Sequence, residues 1–384
     1  MAFALVLAAS ACSSGPGAAS GDQGVLNIGL VVSLTGIYSA TAGLELQGAT
    51  VALAKANADH LAGNSQLRFV RVDDGSSPDT ARRACSQLVG QDHVAAIVGF
   101  ESAIALDACN RAAMAKQIPY FAGVPSGSDV CYSNVFVFGF TPNQQVTPLI
   151  EYLAHRQAAR TFYVVATDSR LARGSVGLAA LRIRESGGVL LGTIYRPLKT
   201  VDFRSDIAKI AAAKPDVVLD GLVGNALTIY HRQFQTDPRT ARVKQASLWL
   251  NTATAQAIGP QAVGIFVAQD YNSSDGSSAT QAWLAALMKK YGDGAFPSAS
   301  GAEIYDATLF MAEAVGHAQS TSGAAIASAA GAVSIVGPRG PVKLASGSSG
   351  YATVSAHIGR VNARYAIDQV DVIGPVDPLA CLGG

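Results

Sequence analysis

The stretch "SNVFVFGFTPNQQVTPLIEYL", residues 133–153, decides how the chain is folded. Its apolar run "VFVFGF" stops at Thr141-Pro142, Asn143, Gln144 and Gln145 follow, and a helical pattern begins at once. The join leaves no room for a loop between strand and helix. It reads as a crossing from one sheet to another, where Pro142 restrains the backbone and the amides satisfy backbone groups at the sheet edge.

The segments on either side support that reading. "VLNIGLVVS" (25–33) is a continuous apolar strand, and residues 40–58 carry helical periodicity. "LRFVRVDD", "VAAIVGF" and "IPYFAG" are further strands, separated by the helices "SPDTARRACSQLVG" and "ALDACNRAAMAKQ". Ser77 is the expected N-cap of the first of these helices, with Pro78 at its first position. Downstream the alternation restarts: "RTFYVVATD", "GVLLGTIYRP", "PDVVLDGL", "ASLWLNT" and "GIFVAQDY" are strands with helices between them. Two long helices follow, and the end is β-rich, in "GPVKLA", "AHIGRVN" and "RYAIDQV".

Strand–helix alternation predicts right-handed βαβ units, so the fold class is α/β with two doubly wound parallel-sheet lobes. A second crossing is expected at "AQDYNSSD" (268–275) and a third near "VSIVGPRG" (333–340). The domain reading is residues 1–24 as signal and tether, 25–142 with 272–336 as lobe one, 143–271 with 337–374 as lobe two, and 375–384 as a tail. Ligands of such sheets bind beyond the carboxyl ends of the strands.

Composition limits the function. The 384 residues are 49% hydrophobic and 14% charged, with net charge +1, enough for a large core and without a nucleic-acid footprint. "MAFALVLAASAC" is too short to span a bilayer but fits a secretory apolar region, although no Lys or Arg precedes it. Ala9-Ser10-Ala11-Cys12 looks like a bacterial lipobox, with Cys12 lipidated and a Gly/Ser/Ala tether after it. "GAAIASAAGAVSIVG" (323–337) is short and rich in Ala and Gly, and is read as a packed helix. Cys85, Cys109, Cys131 and Cys381 allow three disulfide connectivities in an exported protein. Cys109–Cys131 is the favoured pair because the two flank one strand. The spacings match no zinc pattern, and no metal or cofactor is expected.

In order and spacing, nearly all of residues 25–378 resembles the type I periplasmic substrate-binding proteins that serve ABC transporters. "VVSLTGIYSATAGLELQGATVALAKAN" resembles that family's first strand, ligand loop and first helix. "RPLKTVDFRSDIAKIAAAKPDVVLDGLVGNA", "YNSSDGSSATQAWLAALMKKYGDG" and "IGPVDP" are similar to the urea and short-chain amide branch. The resemblance implies two lobes joined by three hinge crossings. It implies an extracytoplasmic, lipid-anchored, monomeric receptor on the outer face of the cytoplasmic membrane, handing its solute to ABC permease subunits. Two departures matter: Glu101 stands in "GFESA", where a small or aromatic residue is usual. Asn225 stands in "LVGNA", where the amino-acid branch commonly has an acid.

A solute site needs fixed donors and acceptors from both lobes, plus apolar walls. From lobe one, Thr35 and Tyr38 follow the first strand and either reach ligand or cap the next helix. Ser102 is the leading candidate, since the family's serine there contacts ligand; its plainer reading is an N-cap. The backbone N–H of Ala103 opens that helix and favours a carboxylate or carbonyl oxygen. Glu101 either pairs with a ligand nitrogen or sits solvated on the rim. Tyr120 either stacks or fills core, and Gly123 follows the same strand. From lobe two come Asp168 (site or cap), Asn225 (donor and acceptor for an amide), Thr252, and Tyr271, which either covers the ligand or braces the hinge. Asp73-Asp74, before Gly75, reads as a turn.

The sequence has no Gly-x-Ser-x-Gly elbow, HExxH or phosphate loop, so no catalytic residue is expected. The expected function is capture of an amide, urea-like compound, amino acid or small carboxylate. A ligand-sensing regulator of the same fold is the alternative, and an exported hydrolase a more distant one.

Overall fold

The computed structural model describes residues 24–36, 38–99, 103–123, 131–346 and 350–379. Cys12, Glu101, Ser102 and Cys381 lie outside the described residues. Strands β1 (Val25–Val32), β2 (Gln66–Asp73), β3 (Ala96–Gly99), β4 (Tyr120–Ala122) and β5 (Val135–Val137) form a parallel sheet in the order β2-β1-β3-β4-β5. Helices cover both faces, which is why the strands are continuous apolar runs. On one face, α1 (Ser39–Ala58) packs on a core with Ile28, Leu30, Val98 and Phe121. On the other, α2 (Pro78–Gly90) and α3 (Ala103–Ala115) cover Val31, Ile97 and Val137.

The second lobe repeats the scheme. The chain runs through α4 (Pro142–Glu151), β6 (Thr161–Thr167), α5 (Arg170–Glu185), β7 (Val189–Arg196), α6 (Arg204–Ala213) and β8 (Val217–Gly221). It continues through α7 (Gly224–Thr236), β9 (Lys244–Ser247), α8 (Thr252–Ile258) and β10 (Phe266–Gln269). The parallel order is β7-β6-β8-β9-β10, with one core beneath α4 and α5 and another beneath α6 and α7.

The chain then returns to lobe one through α9 (Ser278–Tyr291) and α10 (Ala299–Ala318), both packed in its core. Helices α1 and α10 cross where Gly48 meets Gly301; a methyl group on Gly48 would strike the Gly301 carbonyl. A short helix, α11 (Gly323–Ala329), leads into the hairpin β11 (Ser334–Gly337) and β12 (Gly340–Leu344).

Here two boundaries move. The third crossing was expected at 333–340, with 337–374 in lobe two. Instead Ile335, Val342, Ala352 and Val354 belong to the lobe-one core. The chain passes over inside β13 (Ala352–Val361), which pairs with β12 at Ala352 and Thr353 and with β10 from His357 to Arg360. A hairpin hides its turn as a hinge, because Pro338-Arg339-Gly340 has the same punctuation as a linker. Nor does the tail begin at 375, since β14 (Ile367–Val376) pairs along β13 to Val376.

The crossing at 141–145 works as its sequence suggests. Thr141 and Gln144 form a reciprocal capping box, with Pro142 at the first helical position. The Gln144 amide donates to the Ala352 and Val376 carbonyls, at 2.9 and 3.1 Å. Gln145 donates to the Leu248 carbonyl at 2.5 Å, and Asn143 to Asp377 O at 2.7 Å. One short segment therefore ties both sheets and the C-terminal ribbon together.

The disulfide reading is corrected as well: Cys109 pairs with Cys85, their Cα atoms 5.2 Å apart, and not with Cys131. Helices α2 and α3 lie side by side on one face of the sheet, so their buried faces present the two sulfurs to each other. Cys131 is disulfide-bonded independently of Cys109.

The interlobe gap as candidate ligand site

Both sheets turn their carboxyl ends toward the crossings. Gln145, at the start of α4, reaches carbonyls just beyond β9 and at the end of β10. Arg339 joins the Phe138 carbonyl, past β5, to Asp270, past β10. The carboxyl ends of β1, β3 and β4 therefore face those of β6, β8 and β9 across one gap, as ligand sites of doubly wound sheets require.

In lobe one, the loop after β1 is held by the turn after β2. Ser33 Oγ donates to Asp74 at 2.6 Å, and Thr35 donates to Asp73 through its hydroxyl (2.7 Å) and its N–H (3.3 Å). Ser76 Oγ donates to Thr35 O and accepts from Tyr38 N. Gly36 has φ +90° and lies against Gly75 and Ser76, so only glycine fits. Burial pushes Asp73 upward, but hydrogen bonds from Gly75 and Thr35 outweigh it and its carboxyl sits below the usual value. Burial dominates at Asp74, whose carboxyl is raised despite Ser33 and Ser76. The Asp73-Asp74 turn is thus also a clamp on the candidate ligand loop.

The remaining positions divide. Thr35 and Tyr38 are exposed at the rim. Ala103 opens α3, and Gly123 follows β4 with its N–H on Gly99 O. Tyr120 takes the core alternative: it is 1% exposed, under α2 and α3, and burial raises its phenol. Tyr271 is also buried in the lobe-one core, packed edge-on against Trp283 at 5.0 Å.

In lobe two, Asp168 pairs with Arg173 at 2.7 Å, which holds its carboxyl below the usual value. The cap of α5 is the neighbouring Ser169, not Asp168. The Arg173 guanidinium lies 4.2 Å from the centre of the Tyr195 ring. Asn225 is exposed in the first turn of α7 and has no side-chain partner among the described residues; Thr252 is exposed at the start of α8.

Sequence reasoning missed Trp249. It is half-buried just past β9, packed on the α4–α5 core beside Gly221. Among the described residues its indole N–H has no partner. Its place two residues beyond a strand end, in the loop that supplied Thr252, was the available signal.

A buried ionic group at the hinge was also missed. Arg339 is fully buried and donates to Asp306 and Asp270, both at 2.7 Å. Glu303, also buried, meets Asp270 and the Phe140 N–H. Burial and the Asp270 charge push Glu303 well above the usual range, and burial raises Asp306 to about 6 in spite of Arg339. Burial opposes the Arg339 charge, but the three carboxylates outweigh it. One guanidinium among three carboxyl groups leaves a proton on Glu303.

That proton makes stability pH-dependent. Native Glu303 keeps it while the unfolded chain, near its ordinary value, loses it. Stability should therefore fall as pH rises past about 4.3, the unfolded value, by up to about 1.4 kcal/mol per unit, and above about 6, where native Asp306 has ionised, the slope belongs to Glu303 alone. Glu303→Gln fixes the neutral form and should remove the decline; urea unfolding across neutral pH measures it. A slope unchanged by the substitution would place the proton elsewhere.

A family model described as periplasmic binding protein matches residues 25–366. The chain belongs to the periplasmic binding protein family. No curated protein matches it. Among solved structures it resembles a branched-chain amino acid transporter protein from Rhodopseudomonas palustris, with TM-score 0.81, 19% identity, and 94% and 100% of the two chains covered. A solute-binding protein from R. palustris in complex with 4-hydroxybenzoate matches at TM-score 0.74 and 17% identity over 91% and 97%. A branched-chain amino acid binding protein from Streptococcus pneumoniae in complex with isoleucine matches at 0.74 and 19% over 91% and 99%. These likenesses establish the type I periplasmic binding protein fold. Among the described residues no helix is long and apolar enough to cross a membrane, and no His, Cys, Asp and Glu group is arranged to hold a metal ion.

Proposed function

We propose that this periplasmic binding protein is an extracytoplasmic lipoprotein, anchored through Cys12, that captures a small carboxylate on an apolar body for an ABC importer. One observation carries the ligand class: the lobe-two loop has neutral Asn225 where an ammonium would need an acid, and nearby Asp168 is already paired with Arg173. The amino ends of α3, α5 and α7 open onto the gap and favour an anion. Trp249 supplies an apolar wall. The bound 4-hydroxybenzoate and isoleucine of the relatives share a carboxylate on an apolar body. Ser102 and the Ala103 N–H from lobe one, with Asn225 and Thr252 from lobe two, are the proposed contacts. A ligand touching both lobes favours the closed form. Asn225 also supports the amide or urea reading, because its side chain both donates and accepts.

A thermal-shift screen of benzoates, branched-chain amino acids, amides and urea tests this. At a hundredfold excess over Kd the right ligand adds about 2.7 kcal/mol to stability. Carboxylates are expected to raise Tm, and Ser102→Trp to abolish the rise. A response to amides or urea alone would reject the carboxylate class. A shift that survives Ser102→Trp would reject the site. Palmitate labelling lost in Cys12→Ser tests the anchor.

A further inference from the structure

A second cavity lies at the opposite pole of lobe two. Its walls are the chain entering β6, β8 and β9, the amino ends of the strands, so a seven-residue strand places it roughly 20 Å from the gap. Ala208, Ala211 and Ala212 on α6 are small and leave a volume of about 800 Å³. Four cationic side chains line it: Lys214, Arg239, Arg242 and Lys244.

The single carboxylate there, Asp216, is already engaged. Its Oδ2 accepts from Arg160 N, Thr161 N and Thr161 Oγ1 at 2.8 to 2.9 Å. Lys244 Nζ donates to Gln157 O, and Arg239 pairs with half-buried Asp237. Arg242 and Lys214 have no side-chain partner among the described residues. The surroundings reinforce the sign: residues 143–271 hold 15 Lys and Arg against nine Asp and Glu, a net +6, while the remainder carries −5.

We propose that this cavity binds a phosphate-bearing anion. Guanidinium forks match phosphate oxygens two at a time, and two arginines beside two lysines supply more positive charge than Asp216 and Asp237 cancel. The anion is either a free phosphorylated solute or a phospholipid headgroup. Both present the same chemistry.

Calorimetry with inorganic pyrophosphate at physiological salt tests the free form, and flotation with phosphatidylglycerol against phosphatidylcholine vesicles tests the headgroup. The full chain is expected to bind at least one probe. Arg242→Glu with Lys214→Glu, and the milder Arg242→Gln with Lys214→Gln, should weaken that binding by tenfold or more at unchanged Tm. Pyrophosphate binding identifies a free ligand, and binding only to phosphatidylglycerol vesicles identifies a headgroup. Failure of both probes on the wild-type chain, or equal binding by both double variants, overturns the proposal.

Discussion

Arg339→Ala is expected to cost about 3–5 kcal/mol, the largest loss from any single side chain outside the apolar core. The guanidinium is fully buried and answers Asp306, Asp270 and the Phe138 carbonyl. Removing it strands Asp306 and Asp270 as uncompensated buried charge, which costs more than the lost attraction. Urea unfolding of the single variant measures the effect. The double variant Arg339→Met with Asp306→Leu should recover much of the loss, because it removes donor and acceptor together. A single-variant loss below about 1 kcal/mol would show that the cavity rehydrates or that the carboxylates become protonated at little cost.

Cys85→Ala with Cys109→Ala is expected to cost about 3.5 kcal/mol, the chain-entropy value for a closed loop of about 25 residues. Both sulfurs are buried between α2 and α3, so alanine leaves only a small void. The comparison is urea unfolding of the wild type, oxidised and reduced, beside the double variant. Reduction opens the Cys131 disulfide as well, so it should cost at least as much as the double variant. Peptide mapping under non-reducing conditions should recover Cys85 joined to Cys109; a Cys109–Cys131 peptide would contradict the helix packing.

The parts legible in the sequence share a physical cause. Strands buried on both faces read as unbroken apolar runs, so β1, β3, β6 and β8 stood out, and with them the α/β architecture. The 141–145 crossing was legible because capping and amide chemistry are local. The third crossing was not, since β13 runs between lobes as "YATVSAHIGRV" with no break in pattern. The Cys85–Cys109 pair depends on two helices meeting across one sheet face, which spacing along the chain does not encode. Glu303 and Asp306, three apart in the buried, largely apolar part of α10, were a visible anomaly whose partner, Arg339, lies on a distant turn. At the candidate site, the strand-end loops were legible, but neither the core position of Tyr120 nor the place of Trp249 was. An aromatic residue near a strand end points into the core or into the gap according to register, which a sequence read alone leaves open.

The packing of α1 against α10 has a consequence for biosynthesis. The two helices share the lobe-one core but are separated by roughly 240 residues, whereas the β6–β10 sheet is assembled from one uninterrupted segment. As the polypeptide leaves the ribosome, the five parallel strands β6 to β10 can pair while the earlier-made half still lacks α10. Until then the first half presents an open apolar surface, which is when a holdase chaperone or a waiting translocase would find it.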